Sequence, residues 1–328
     1  MSSARSLSDL PLEDVEPTLN SEVSAALKHL ALDESAKAYV LEHPPLYKAL
    51  MRAAMRFIGG ETLSDCCVVA KQLNEQGHAV TVDFMGESTR DAVTAQQATQ
   101  EFLKAIDLIA KQKLNSSVSY DLSHLGMIID AEGYENARVL AKAARAAGNE
   151  MMISMEGTDR TTTILDIHGK LAQEFDNVGI TLQAFLYRTD ADLNSVLQRP
   201  GKIRVCKGAY EAPAHLAMPR GSQLDSAYLQ LAKRLIESGH ACSIATHDQT
   251  ILEQTHQFIR AGNFRHDNVE FEMLKGVTPE RLDAMRAAGY RTRVYLPYGR
   301  EWHLYLCNRL AEHPPNIYQA IIDASVKI

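Results

Sequence analysis

The sequence of 328 residues is long enough to bury a full core, and its 45% hydrophobic and 23% charged residues are typical of a globular protein. The net charge of −7 argues against a protein that binds nucleic acid through a basic surface. Neither a membrane-length apolar run nor the apolar core of a signal peptide is present, so we expect a cytoplasmic protein with at most peripheral membrane contact.

The first part of the chain is predicted to be helical. Residues 1–18 are polar and acidic with two prolines, and we expect them to form a flexible arm. From residue 19 to 76 apolar residues recur at helical spacing, and Pro44-Pro45 and Gly59-Gly60 divide this stretch into roughly three helices. We therefore expect a helical extension ahead of the main domain.

Eight short strand patterns follow, each separated from the next by a helical stretch. The predicted strands are 79–85, 117–122, 151–155, 178–183, 203–206, 241–246, 269–273 and 293–296. Eight strand-then-helix units match a TIM-type (β/α)8 barrel better than an open sheet, and no strand leads into the GxGxxG loop of a dinucleotide-binding open sheet. The sequence therefore predicts an α/β protein in which residues 77–328 form one barrel.

The helix predicted over 300–313 has an unusual face. Polar and aromatic side chains recur along it at spacings of three to four, namely Trp302, Tyr305, Arg309 and Glu312. These positions lie on or near one side of a helix. Such a face is more natural for a helix over a ligand than for a core helix, although a solvated face with two packed rings has the same spacing. We predict a final helix over the mouth of the barrel.

The segment IRVCKGAYE, residues 203–211, is the most informative stretch. A strand that ends in Lys207 and the small pair Gly208-Ala209 places a basic side chain and free backbone N–H groups at its carboxyl edge, where such barrels bind ligands. Arg204 and Lys207 suit an anionic cofactor such as a phosphate-bearing nucleotide. A core strand with two solvated basic residues is the alternative.

Polar residues also follow the other predicted strands. They are Asp83, Glu87, Asp121, Ser154, Glu156, Gln183, Thr246, His247, Asp248, Glu272 and Tyr295. The set is mixed in sign and has no His/Asp/Glu group with the spacing of a hydrolase metal site, so no metal is predicted. For His247, a hydrogen bond to a cofactor is at least as consistent with its neighbours as a general-base role.

Six segments, in order, resemble the flavin-dependent proline dehydrogenase family: VDFMGE, VGITLQAFLYRT, IRVCKGAYE, ATHD, FEMLKG and RVYLPYGREWHLYLCNRLAEHPPN. The resemblance implies a distorted (β/α)8 barrel that holds FAD at the carboxyl ends of its strands, with a last helix closing over the substrate. It also implies oxidation of L-proline to 1-pyrroline-5-carboxylate by hydride transfer to FAD, and an electron acceptor such as a quinone.

The resemblance assigns roles to individual positions. The residues implied for FAD are Gln183, Arg204, Lys207, Gly208, Ala209, Thr246, His247 and Glu312. The residues implied for the substrate pocket are Ser154, Tyr210, Leu274, Tyr295, Tyr305, Asn308 and Arg309. The candidates for direct participation in the reaction are Arg204, Tyr295, Arg309 and Asp121, with Arg204 near the reactive nitrogen of the flavin.

Three positions depart from the family pattern. Asp121 stands where the family has a lysine that contacts the substrate, Ser154 where it has an aspartate, and Asn308 where it has the first of two adjacent arginines. Two cations that would face a substrate carboxylate are therefore lost. A carboxylate contacted by Arg309 alone would be held less well, since one charge-assisted hydrogen bond contributes about 1.5–3 kcal/mol.

Three alternatives to plain proline oxidation stay open at this point. A biosynthetic relative would oxidise a proline derivative or a cyclic amine whose acid is masked or absent, and Asp121 would pair with its ammonium group. A barrel lyase would use Lys207 as a Schiff-base lysine. A ligand-binding barrel would have lost catalysis altogether.

Overall fold

Eight parallel strands close into one barrel in chain order in the computed structural model, which describes residues 12–129, 132–314 and 316–325. The strands are β1 (Ala79–Phe84), β2 (Ser116–Tyr120), β3 (Met151–Ile153), β4 (Val178–Gln183), β5 (Ile203–Cys206), β6 (Cys242–Ala245), β7 (Val269–Leu274) and β8 (Arg291–Tyr298). The predicted (β/α)8 barrel is confirmed, and every predicted strand matches an observed one to within two residues at either end.

Helices precede the first strand. In the described residues they are α1 (Leu12–Leu32), α2 (Glu34–Glu42), α3 (Pro44–Ala54) and α4 (Leu63–Glu75), where the sequence predicted roughly three. The helix α1 begins inside the range 1–18 that was predicted as an arm, and residues 1–11 lie outside the described residues. Thr62 and Asp65 form a reciprocal capping box that starts α4.

The helices between the strands cover the outside of the barrel. They are α5 (Ala92–Gln112), α6 (Glu132–Ala146), α7 (Thr161–Glu174), α8 (Thr189–Val196), α9 (Ser222–Ser238), α10 (Gln249–Gly262) and α11 (Pro279–Ala287). Their apolar faces pack on the outward-facing residues of the strands and form the main core. Within the described ranges, none of the helices has the length and apolarity needed to cross a bilayer.

The helix that follows β8 does not complete the outer layer. Instead α4 packs against β1 and β8, at the place where the eighth helix of such a barrel normally lies. The helix after β8, α12 (Trp302–Glu312), packs on α1 and α3. It is followed by α13 (Asn316–Ser325), which the sequence analysis did not predict and which packs on α3. The helix predicted as the last one is therefore followed by another.

The two ends of the chain share a second hydrophobic core. Its large buried residues are Phe57, Ile58, Trp302, Leu306 and Leu310. The hydroxyl of Ser24 donates to the carbonyl of Ala311 at 2.8 Å. The guanidinium of Arg56 donates two hydrogen bonds to Asp323, at 2.6 and 2.9 Å. The early helices thus hold α12 in its place.

The interior of the barrel is mostly polar. Side chains two residues apart point to the same side of a strand, so Lys202 and Arg204 face inward together, as do Glu270 and Glu272. All four are buried. Glu270 accepts hydrogen bonds from Lys202 at 3.0 Å and from Arg293 at 2.8 Å. Burial opposes its charge, but Arg293 and Lys202 lower the pKa of Glu270 to about 2.

We expect Glu270→Gln to lower the free energy of unfolding by about 3–5 kcal/mol, because the change leaves the buried Arg293 without its ion-pair partner and leaves Lys202 with Glu150 alone. Denaturant unfolding checks this, with the exposed Glu237→Gln as the control, for which we expect a change within about 0.5 kcal/mol.

The loss of unfolding free energy in Glu270→Gln, called the deficit below, should depend on pH. The folded-state pKa is depressed from the ordinary value of 4.5, so the contribution of Glu270 is present above that value and is lost as the pH falls toward 2. A deficit that stays constant from about pH 6 to about pH 3 would contradict this account of the ion pairs.

Candidate active site

The predicted site residues gather at one mouth of the barrel, because the carboxyl ends of parallel strands all lie on the same side. Gln183 ends β4, Lys207 follows β5 and Leu274 ends β7. The helix α12 lies over this mouth. Burial raises the pKa of Tyr305 on α12 to about 12 against the charge of Arg309, and Glu312 and Asp83 add to the rise, so this helix lies close to the end of β1.

Arg204 lies at the floor of the mouth and is bound by Glu272. Its Nε and Nη2 donate to the two carboxylate oxygens at 2.8 and 2.9 Å, and both side chains are buried. Burial opposes the charge, but Glu272 helps to raise the pKa of Arg204, which remains a cation. The paired geometry fixes the plane of the guanidinium. The guanidinium carbon lies 5.3 Å from the ring centre of Tyr295.

Tyr295 is held from its other end by Asp83, since the tyrosine hydroxyl donates to Oδ2 of the carboxyl group. Burial raises the pKa of Asp83 to about 7, although Tyr295 and Arg204 act in the opposite direction. Asp83 therefore holds its proton more readily than an ordinary aspartate does. The sequence analysis placed Asp83 at a strand end but assigned it no role.

Asp121 and Ser154 lie side by side, just after β2 and β3. The backbone N–H of Ser154 donates to the carbonyl of Tyr120, the residue before Asp121, at 2.9 Å, and Oγ of Ser154 lies 3.1 Å from Oγ of Ser119. Ser119 in turn accepts a hydrogen bond from Nη1 of Arg204 at 3.3 Å. Burial raises the pKa of Asp121 well above its ordinary value, and three neighbouring carboxyl groups add to the effect.

Lys207 is held as a cation at the start of two helices. Its Nζ lies 2.5 Å from Asp225 in the first turn of α9 and 2.8 Å from Asp248 at the amino terminus of α10. Burial opposes the charge, but hydrogen bonds to these two carboxylates raise the pKa of Lys207. A Schiff-base lysine must be neutral when it attacks a carbonyl group, so this environment disfavours the lyase.

The other residues predicted to hold a cofactor have well-defined hydrogen bonds. Nε2 of Gln183 donates to the carbonyl of Glu156 at 2.9 Å. Oγ1 of Thr246 accepts from the backbone of Asp248 at 3.1 Å, and Nε2 of His247 accepts from the backbone of Leu274 at 3.3 Å. Burial, together with the charge of Arg309, lowers the pKa of His247 to about 4, so its ring is neutral.

Three buried polar atoms at the mouth have no hydrogen-bond partner among the described residues. They are Nδ1 of His247, the hydroxyl of Tyr305 and Nε of Arg309. Because Nε2 of the neutral His247 accepts a hydrogen bond, its Nδ1 carries the proton and is a donor. Buried polar groups are usually paired, so a convergent set without partners is typical of a ligand site. These donors fit a large anionic cofactor such as FAD.

The remaining predicted residues lie around this set. The guanidinium of Arg309 donates to Glu312 at 2.6 Å and lies 5.0 Å from the ring centre of Tyr305. Asn308 beside it is half-buried. Ala209 and Tyr210 lie on an exposed loop after β5, and Tyr210 is 36% exposed. The loop residues are thus the least enclosed part of the predicted pocket.

Sequence comparison identifies the family. The family model described as proline dehydrogenase matches residues 67–316. The proline dehydrogenase 2 of Bacillus subtilis is 36% identical over 266 residues, which cover 81% of this chain and 88% of that protein. The chain belongs to the proline dehydrogenase family. The predicted resemblance is confirmed, and with it the enzyme class, an oxidoreductase.

Further relatives of this proline dehydrogenase family member agree. The proline dehydrogenase of Deinococcus radiodurans is 32% identical over 269 residues, covering 80% of this chain and 87% of that protein. In fold, the chain is similar to the crystal structure of proline utilization A (PutA) from Bdellovibrio bacteriovorus inactivated by N-propargylglycine, with a TM-score of 0.77 and 20% identity. That match covers 95% of this chain and 40% of the longer PutA chain.

We expect Gly208→Ala to destabilise the loop after β5. Gly208 has a φ of +115°, and an added Cβ would lie 2.3 Å from a ring atom of Phe185. Backbone strain and overpacking together should lower the free energy of unfolding by about 2–5 kcal/mol. The matched control is Gly289→Ala, where φ is +93° and the added Cβ meets nothing within 4 Å. Denaturant unfolding measures both losses of unfolding free energy. Equal losses in the two variants would show that contact with Phe185 adds nothing to the cost at position 208.

Proposed function

We propose that this proline dehydrogenase family member oxidises L-proline, or a closely related cyclic secondary amine, to the corresponding cyclic imine by hydride transfer to FAD. With L-proline the product is 1-pyrroline-5-carboxylate. The observation that carries the proposal is the family match over residues 67–316, a range that contains every strand end at the mouth of the barrel.

The residues proposed to hold FAD are those at the ends of β4, β5 and β6 and on α12: Gln183, Arg204, Lys207, Gly208, Ala209, Thr246, His247 and Glu312. When bound, the flavin accepts the hydride. Arg204 supplies a positive charge that Glu272 already holds in place, so little reorganisation accompanies the reaction. Lys207 is shared with two aspartates, and we therefore expect it to attract a phosphate less strongly than an unpaired lysine would.

The proposed substrate pocket lies between Tyr295, which rests against Arg204, and the face of α12 that carries Tyr305 and Arg309. Two aromatic rings position a five-membered ring without offering a competing nucleophile. Arg309 is the proposed partner of a substrate carboxylate, through the Nε that has no partner among the described residues. The electron acceptor proposed for the second half of the reaction is a quinone.

The absorption spectrum of the purified protein tests the proposal. We expect a yellow protein whose flavin colour bleaches when L-proline or pyrrolidine is added without oxygen. A colourless protein that does not bind added FAD would contradict the oxidoreductase. Borohydride trapping of a carbonyl substrate on Lys207 would support the lyase in its place.

We expect Asn308→Arg to lower the KM for L-proline about tenfold or more, because a second guanidinium beside Arg309 adds a charge-assisted hydrogen bond to the carboxylate. Pyrrolidine has no carboxylate and serves as the control substrate, for which the KM should stay unchanged. Steady-state kinetics with both amines checks this. An equal change for the two substrates would show that position 308 does not act on the carboxylate.

A further inference from the structure

One side of the mouth is acidic. Asp83 and Glu87 lie at and after the end of β1, Asp121 follows β2 and Glu156 follows β3. After burial itself, repulsion from Glu156, Asp83 and Glu87 is the main reason why the pKa of Asp121 is raised, so these three carboxyl groups lie within electrostatic range of Asp121. No group of three or more such residues in the described ranges is arranged to hold a metal ion.

Two tyrosines face the same acidic side. Burial raises the pKa of Tyr295, and Asp83 and Asp121 add to it. The pKa of Tyr210 is raised as well, by loss of solvent around its hydroxyl and by nearby charges of which Asp121 is the largest, although the residue as a whole is 36% exposed. Asp121 therefore lies within electrostatic range of both tyrosines, on the acidic side of the proposed substrate pocket.

Four cations around the mouth already have carboxylate partners, whereas Lys275 after β7 donates to the backbone carbonyls of Met55 and Arg56. The pairs are Arg160 with Glu156 at 2.6 Å, Arg204 with Glu272 at 2.8 Å, Arg309 with Glu312 at 2.6 Å, and Lys207 with Asp225 and Asp248 at 2.5 and 2.8 Å. Within the described part of the chain, Asp83 and Asp121 take part in no ion pair. The hydroxyl of Tyr295 donates to Asp83, and the hydroxyl of Ser154 opposes the raised pKa of Asp121. A bound cation would be the first countercharge for Asp121.

A hydrogen-bond chain runs from Arg204 toward Asp121. Nη1 of Arg204 donates to Oγ of Ser119 at 3.3 Å, and Oγ of Ser119 lies 3.1 Å from Oγ of Ser154. Because an arginine can only donate, Ser119 accepts from Arg204 and has its own proton to donate to Ser154. The hydroxyl of Ser154 opposes the raised pKa of Asp121, so this end of the chain favours the ionised carboxylate.

We propose that Asp121 binds the ammonium group of the ring substrate and takes its proton, as the general base of the oxidation; this rests on the function proposed above. A protonated amine has no lone pair with which to form a C=N bond. Transfer of one N–H proton to the Asp121 carboxylate leaves the neutral amine. The neighbouring carbon would then lose its hydrogen with both electrons of the C–H bond, as hydride to FAD where that cofactor is bound, and the nitrogen lone pair would form the double bond of the protonated imine.

The role proposed for Asp121 determines which class of substrate the enzyme accepts. The enzyme recognises the charge on the ring nitrogen, and a carboxylate adds only what Arg309 provides. Cyclic secondary amines without a free carboxylate are therefore substrates. A carboxylate whose pKa lies above the ordinary aspartate value is also a stronger base and is better matched to an amine.

The test is Asp121→Asn in the FAD-loaded enzyme, read as the rate of flavin reduction without oxygen. At about pH 7 we expect a loss of about 100-fold or more with both pyrrolidine and L-proline. The loss should shrink by about tenfold for each unit of rising pH, because water then supplies the neutral amine that the variant cannot make. The change removes repulsion among the carboxyl groups, so we expect the variant to fold.

The matched control is Asp107→Asn, an exposed carboxylate on α5 that pairs with Lys111 at 2.8 Å. It should change the rate by less than about twofold. If these amines bleach the flavin of wild type and Asp121→Asn shows the same rate of flavin reduction at every pH, the base is another group and the proposed amine oxidation stands. If no cyclic amine bleaches wild type, the proposed function itself fails.

Ser154 is a positioning residue in this scheme. Its hydrogen bond lowers the pKa of Asp121, so Ser154→Ala should move the acidic limb of the kcat/KM profile to higher pH. Ser154→Thr keeps the hydroxyl and should restore the wild-type profile. A uniform loss at all pH values in Ser154→Ala, with no shift of the limb, would contradict the positioning role.

A binding measurement is independent of turnover. Imidazolium is a five-membered cation that has no hydride to give, and cyclopentanecarboxylate is a five-membered anion. At about pH 6, imidazolium should raise the melting temperature of wild type and lose this effect in Asp121→Asn. The change in melting temperature that cyclopentanecarboxylate causes should not weaken in Asp121→Asn. Equal stabilisation of wild type and Asp121→Asn by imidazolium would overturn the proposal.

Discussion

The buried ion pair between Arg204 and Glu272 is the interaction on which the arrangement of the mouth depends. Two charges in a protein interior cost several kcal/mol each to desolvate, and only close, multiple hydrogen bonds offset that cost. Here the guanidinium and the carboxylate meet through two bonds, and the hydroxyls of Ser243 and Thr81 donate to Glu272 at 2.6 and 2.9 Å. The pair therefore joins β5 to β7, with β1 and β6 bound to it through Thr81 and Ser243, and leaves the guanidinium in one plane.

Two features of the mouth follow from that plane. Tyr295 rests against the guanidinium on one side and is fixed at its hydroxyl by Asp83. The edge of the guanidinium supplies the donor that starts the chain through Ser119 toward Asp121. The flat wall and the acidic side of the proposed pocket are thus both positioned by one buried cation.

The helix α12 can cover the mouth because α4 occupies its usual position in the outer layer of the barrel. Because α4 occupies the outer position beside β1 and β8, the chain after β8 is free to cross the top of the barrel as α12. Apolar contacts with α1 and α3 hold it there, around Phe57, Ile58 and Trp302. The N-terminal helices thus support the position of Arg309 although no predicted site residue belongs to them.

The sequence by itself determined the strands, the barrel and the family, because strand ends and helix spacing are local patterns and the motif IRVCKGAYE lies in one segment. The sequence also indicates a charged barrel interior. Charges stand two residues apart in apolar strands and must face the same side, namely Lys202 with Arg204 and Glu270 with Glu272. Only the tertiary structure decided their partners. Glu272 is 68 positions from Arg204, and Asp225 and Asp248 reach Lys207 from two different helices. Such pairs are set by barrel closure and strand register, which bring together residues that no spacing along the chain relates.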